Sequence, residues 1–389
     1  MPLDASTPNL APPLAGCRVV ECSRTVAAAY AGRLLAVMGA DVVMLEPPSG
    51  SPLRQAAPLL DGGVGSALFD YVAVAKRSVV CDLQAPEGQA ALARELTQAD
   101  IFIDDTPLAE RETLGVAPEA LGERFPSLVH VSVLPFGASG PKAGWDGEEV
   151  NLLHACGEGL LLPNGLSNEL FPDRPPLKVY GQFASYQGGC TAALAALSAW
   201  WAVPHAGGQY VDVSVQDAAL LVGAFALQRL GDGSLEHRAT RSFRYGGVFE
   251  AQDGFFELLT LEDRQWNALV ELLGRPAWTE DAALNDPLER SRRGDEINRH
   301  IRLWAVQHKV DDIVRRAQEL GVPAGKYRTP AEVVNGEHER ARGLFAPVRL
   351  SVGQEAEVLL APFQFRCTPL RLCGGAPALA GAPHRETTP

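Results

Sequence analysis

The residues suited to chemistry in this chain are few and scattered. Glu148 and Glu149 form a carboxylate pair directly after the glycine-rich stretch Phe136 to Gly147. A helix pattern begins there, with apolar residues at 150, 152, 153, 156 and 160. Negative charge at a helix N-terminus is favourable by roughly 0.3–1 kcal/mol, so the pair also fits a plain capping role. His154 and Cys156 stand two apart on that helix and face different ways, which suits packing better than a metal, so no metal site is expected. Cys190, in a Gly-Gly-Cys-Thr context, reads as a small core residue rather than a nucleophile. Asp61-Gly62-Gly63-Val64-Gly65 lacks the spacing of a dinucleotide fingerprint and lies in a loop.

Among the elements that must position these residues, Gly16 to Glu46 is the organising stretch. An apolar run from Cys17 to Cys22 breaks at Ser23-Arg24-Thr25. A small-residue run, Ala27-Ala28-Ala29, leads into an amphipathic segment that Gly39 stops, and a second apolar run ends at Glu46. This is a strand–helix–strand unit, and the right-handed crossover rule makes its strands parallel. Phosphate-bearing ligands often sit where such a strand hands over to its helix. Further strands are expected at Ser78–Leu83, Ile101–Ile103 and Leu128–Val133, with helices starting at Ala85-Pro86 and Pro118. That alternation is the pattern of a parallel sheet covered on both faces.

After the glycine-rich loop come a helix from Glu149 to Leu162, a turn-rich insertion from Leu166 to Pro176, and a helix from Tyr186 to Val203. The last carries little charge and reads as buried all round. A strand at Tyr210–Val213 and a helix from Gln216 to Leu230 come next. Gly231 to Arg244 is polar and loop-like, Gly247 to Leu261 reads as a hairpin around Asp253-Gly254, and Arg264–Leu273 and Asp295–Leu320 read as charged helices. The expected organisation is an N-terminal arm (1–15), a large Rossmann-like domain (16–230), a smaller α+β domain (231–321), and a return linker with the rest of the large domain (322–389). At 389 residues the chain is long enough for two cores.

Composition narrows the function classes. A net charge of −13 argues against a nucleic-acid partner, which needs a clustered basic surface. No apolar stretch reaches the ~18 residues of a membrane span, and the first residues lack a signal-peptide pattern. Seven cysteines without CxxC spacing point to reduced thiols and a cytoplasmic protein.

The chain resembles the family III CoA-transferases, the group of formyl-CoA transferase, carnitine CoA-transferase and the bile-acid-inducible proteins. The resemblance rests on GADVVMLEPPSG, AKRSVVCDLQAPEGQAAL, ADIFIDD, FPSLVHVSV, FGASGPKAGWDGEEVNLLHACG, PLKVYGQFASYQGGCTAALAAL, GGQYVDVSVQDA, WNALVELLGRP and GVPAGKYRTPAEVV, in that order. It implies a Rossmann-like large domain, a smaller domain, and a ring-shaped chain interlocked with a second chain. It also implies an acyl-CoA and a carboxylic acid as substrates, with coenzyme A carried as a thioester and no permanently bound cofactor. The family nucleophile is an aspartate after the glycine-rich loop, which passes through a mixed anhydride and then an aspartyl-CoA thioester. Glycine-rich loops would supply N–H groups to the oxyanions.

Counting forward from Gly140-Pro141 places Glu149 at that aspartate, with Asp146 three residues early as a weaker substitute. One extra methylene displaces the carboxylate by ~1 Å, and such misplacement can cost on the order of 100-fold. The family's Ala-Gly-Pro becomes Ala27-Ala28-Ala29, and its NFRPG-like loop becomes Asp105-Thr106-Pro107-Leu108-Ala109, which sets Asp104 and Asp105 where an arginine would meet phosphates. Arg33, Lys76, Arg77 and Lys142 are the remaining candidates for CoA phosphates, and Gly246-Gly247 falls near the family's mobile glycine loop. The departures leave two other readings. The chain is a catalytically silent subunit of a heteromer, as in the two-component benzylsuccinate CoA-transferase, or an acyl-CoA racemase or isomerase with Glu149 as base.

Overall fold

The structure, a computed structural model, describes residues 10–161, 173, 175–222, 245–370 and 372–379. The expected arm before residue 10, most of the 166–176 insertion, the helix beyond 222, the 231–244 loop and the last ten residues lie outside the described residues.

Strands β1 (Arg18–Cys22), β2 (Asp41–Glu46), β3 (Arg77–Val80), β4 (Ile101–Asp104), β5 (Val129–Leu134) and β6 (Tyr210–Ser214) form one sheet in the order β3-β2-β1-β4-β5-β6. Every neighbouring pair is parallel. The central strands β4 and β5 are buried on both faces, as a parallel sheet requires, whereas the edge strands β3 and β6 are partly exposed. Crossover helices α1 (Val26–Val37), α3 (Pro86–Leu96) and α4 (Pro118–Arg124) carry the chain between them, and α2 (Ala67–Val72) packs beside the loop after β2. This is the doubly wound order whose direction switches between β1 and β4, and ligands of such sheets sit at the carboxyl ends of the strands there.

Past β5 the chain forms α5 (Glu149–Ala155), α6 (Phe183–Ala206) and α7 (Val215–Val222). The expected helix over 149–162 is broken, because Gly157 takes a left-handed φ of +92°. Helix α6 is not buried all round: Leu194 and Trp201 are 69% and 84% exposed. Cys190 is exposed too and is no core residue. The small residues Gly188 and Gly189 turn inward instead, and a Cβ on Gly189 would fall 2.7 Å from Ala27 O on α1. Ala27, Ala28 and Ala29 therefore belong to α1 itself, not to a turn, and the first two share the large core with Ala192 and Ala196 of α6.

The chain divides into two compact units: Met1–Gly159, Lys178–Ala226 and His338–Pro389 make the first, and Leu160–Leu177 with Leu227–Glu337 the second. The second holds a three-stranded sheet of β7 (Gly247–Glu250), β8 (Phe255–Leu258) and β9 (Ala324–Lys326), with helices α8 (Asp263–Leu272), α9 (Gly294–Ala305) and α10 (Val310–Leu320). Its core gathers Phe249, Phe256, Trp266, Leu269 and Ile301. The chain re-enters the first unit at His338, and within the stretch from 322 β9 pairs with β8 and extends the small sheet. The first unit then closes with the hairpin β10 (Phe345–Arg349) and β11 (Glu355–Leu359).

Beneath α1 lies a fully buried ion pair, Lys76 Nζ to Glu21 Oε2 at 2.6 Å. Burial pushes the Glu21 carboxyl up and the Lys76 amine down, each partly offset by the other. Room for the pair comes from Gly32 of α1, where a Cβ would fall 1.7 Å from Glu21 Oε2. Helix propensity alone favours Gly32→Ala. The expectation here is the reverse: a loss of roughly 2–4 kcal/mol in denaturant unfolding, the cost of parting a buried pair less the propensity gain. An unchanged or raised midpoint would show that the pair adapts.

Candidate functional site

Glu148 and Glu149 are neighbours in sequence but serve different helices. Glu148 is the exposed N-cap of α5 in a reciprocal capping box with Asn151, whose side chain accepts from Glu148 N–H at 3.0 Å. Glu149, one residue on, turns inward and is 7% exposed. Its carboxylate crosses to the N-terminus of α6, where Gln182 occupies the cap position and provides no side-chain cap. Ala184 N–H donates to Oε1 at 2.8 Å, Ser185 N–H to Oε2 at 3.0 Å, and Ser185 Oγ to Oε2 at 2.8 Å. A helix leaves its first N–H groups without internal acceptors, and a carboxylate there is favoured by the helix dipole. The extra methylene of glutamate spans this gap between α5 and α6.

The same carboxylate forms part of the wall of a cavity of about 430 Å³ at the carboxyl end of the sheet. Arg24, Thr25, Gln182 and Ser185 give it a polar side, and Leu53, Ala56, Ala57 and Leu68 an apolar one. Concave, largely apolar sites with a few convergent polar groups are the usual form of a small-molecule site. Asp146 is exposed and takes no part in the lining.

The four cations expected to meet phosphates are not brought together. Arg33 is fully buried on α1 and donates to the backbone oxygens of Tyr71 (2.8 Å), Leu360 (3.0 Å) and Leu359, with its guanidinium over the Tyr71 ring. Lys76 is consumed by Glu21 and by Ala29 O at 2.7 Å. Arg77 pairs in bidentate fashion with Asp41, at 2.8 and 2.7 Å, where β2 and β3 begin. That is the amino edge of the sheet, opposite the cavity. In this structure Arg33, Lys76 and Arg77 each have partners within the protein. Lys142 alone of the four lies past a strand's carboxyl end, half-buried over the rings of Phe136 and Trp145.

The strand-to-helix handover after β1 is occupied as well. Arg24 N–H and Thr25 N–H, the groups that would receive an anion, donate to the buried Asp105 at 2.8 and 2.6 Å. Asp104 beside it holds His130 Nε2 at 2.6 Å and accepts from Thr106 N–H at 2.8 Å. Sequence reasoning placed both aspartates here but missed their internal role, since their partners lie far away in the chain. Ser185 and Gln182 were missed altogether. The sign available was a polar pair opening an otherwise apolar helix.

Burial pushes Asp105 up to about 6 from the ordinary aspartate value of 3.8, against the pull of its hydrogen bonds from Thr25 and Arg24, and with a further push from Asp104. The folded value lies above the unfolded one. The stabilising contribution is therefore complete below about 3.8 and is lost as pH rises through about 6. Asp105→Asn should melt higher than the parent at pH 8, with the difference closing towards pH 4. A pH-independent difference, or a variant less stable at pH 8, would contradict this assignment.

The comparisons with known proteins bear on the whole chain. The family model for CoA-transferase family III matches residues 14–383. Succinate–glutarate CoA-transferase of Agrobacterium fabrum is 28% identical, over 96% of this chain and 94% of its own length. The alpha subunit of succinyl-CoA–L-malate CoA-transferase of Chloroflexus aurantiacus is 27% identical, over 96% and 87%. A solved CAIB/BAIF family protein from Brucella suis superposes with a TM-score of 0.82 at 27% identity, over 95% of this chain and 97% of the other.

Proposed function

The chain belongs to CoA-transferase family III, and from that premise we propose that Glu149 is the carboxylate on which it moves coenzyme A from an acyl-CoA, such as succinyl-CoA, to a carboxylic acid. The observation that carries this reading is Glu149 itself: a buried carboxylate on a cavity wall, held in one orientation by three donors. Covalent catalysis by a carboxylate splits one difficult acyl exchange into easier steps, and a fixed nucleophile lowers the entropic part of each barrier. Acyl-CoA is then substrate, with no resident cofactor. The apolar side of the cavity would take the acyl chain, and Lys142 is the remaining candidate of the four for a CoA phosphate.

A second reading has its own support. Three expected phosphate cations are engaged elsewhere, and Asp105 fills the β1–α1 turn. A relative is itself named an alpha subunit. In this reading the chain is the silent half of a heteromer. Either way we place it in an interlocked dimer, with itself or a homologous subunit, a reading that fits a chain leaving its larger unit and re-entering at His338. A cytoplasmic location fits seven free cysteines, and among the described residues no helix is long and apolar enough to cross a membrane.

The two readings part on one experiment. The purified chain is incubated with succinyl-CoA, quenched with hydroxylamine and digested for peptide mass analysis. A hydroxamate at Glu149 is the expected result. An unmodified Glu149, with CoA transfer appearing only after co-expression with a homologous chain, would overturn the first reading in favour of the silent subunit.

A further inference from the structure

The donors on Glu149 bear on the reacting carbon as well as on the resting carboxylate. With Glu149 as the carrier of acyl group and CoA, one of its carboxylate oxygens attacks the thioester carbonyl, the C–S bond breaks, and CoA thiolate departs with the electron pair. The thiolate then attacks Cδ of Glu149 in the mixed anhydride. The bond from Cδ to the bridging oxygen breaks, and the donor acid leaves as its carboxylate. The acceptor carboxylate next adds to Cδ of the glutamyl thioester and expels the thiolate, which finally attacks the acceptor's acyl carbon and restores the Glu149 carboxylate.

The two additions at Cδ load negative charge onto the Glu149 oxygen that neither attacks nor leaves. The two oxygens are not equivalent. Oε1 has one donor, Ala184 N–H, whereas Oε2 has both the N–H and the hydroxyl of Ser185. The oxygen with a single donor gives up less on becoming the nucleophile, which leaves Oε2 as the oxygen that takes the charge. Resting on the reading of Glu149 as carrier, we propose that Ser185, at the first turn of α6, is a catalytic residue that forms the oxyanion site for both additions at Glu149 Cδ. Its hydroxyl is aimed at Oε2 at 2.8 Å, while its other polar neighbour, the Gln182 side-chain oxygen, is 3.4 Å away and a weaker competitor. Ser185 is 8% exposed, and its N–H belongs to a 24-residue helix, so the donors are fixed before charge develops. The family resemblance leads one to expect glycine-rich loops in this role, whereas the donors on Oε2 belong to a helix.

The test uses the full-length chain with succinyl-CoA and with butyryl-CoA, and reads steady-state kcat and KM, the single-turnover rate of Glu149 thioester formation, and the melting temperature. Ser185→Ala should lower kcat and the single-turnover rate by about 100-fold, as removal of an oxyanion donor does, with KM changed by less than about three-fold. Ser185→Thr keeps the hydroxyl and should recover most of the rate. A Ser185→Ala protein that forms the thioester at the parent rate, or whose only losses are in KM or melting temperature, would overturn the inference and leave Glu149 as nucleophile standing. The same holds if Ser185→Thr is as slow as Ser185→Ala. A parent chain that forms no Glu149 adduct removes the underlying reading, and this inference with it.

Discussion

A buried carboxylate needs partners, and a long helix needs acceptors for its first N–H groups; in this chain one contact meets both needs. Glu149 gives α6 the cap that Gln182 does not, and α6 gives Glu149 the donors that make its burial tolerable. Close packing against α1 and Val215 holds α6 in place. Gly188 and Gly189 let α6 lie close to Val215 and to Ala27 of α1, and α1 is fixed in turn by Arg33 and by the Glu21–Lys76 pair below it. The site is thus the end of a chain of close approaches between helices.

The exchange of aspartate for glutamate takes its meaning from that geometry. Read from the sequence, the extra methylene is a displacement of the nucleophile. In the fold it is the reach that carries the carboxylate from α5 to α6. Three donors quiet a nucleophile in its resting state, yet the two from Ser185 remain in place for charge that forms later on the retained oxygen. Charge that is stabilised in every state of a reaction slows nothing, whereas charge stabilised most in the transition state accelerates it.

The sheet was legible because parallel strands such as Asp41–Glu46 and Ile101–Asp104 hold unbroken apolar runs, Val42–Leu45 and Ile101–Ile103. Glu149 was legible only as a position counted from Gly140-Pro141, and its partner helix was not. The internal partners of the cations were not legible for a physical reason. On an amphipathic segment Arg33 looks like a solvated or ligand-facing charge, and nothing near it in sequence announces the backbone oxygens of Leu359 and Leu360 that it meets. Lys76 and Glu21 likewise become partners only when β1 and the segment before β3 are packed against α1. The three-residue strand Ala324–Lys326 is too short to show a period, which is why the sequence showed only a linker there.

Glu149, seated on the first turn of α6, is the group proposed to carry coenzyme A. The most direct measurement of that role is a crystal structure of the full chain after exposure to an acyl-CoA. It should show a thioester on Glu149 with the carbonyl oxygen within hydrogen-bond reach of Ser185 N–H and Oγ. A thioester on another residue, or a Glu149 carbonyl turned away from α6, would contradict the account.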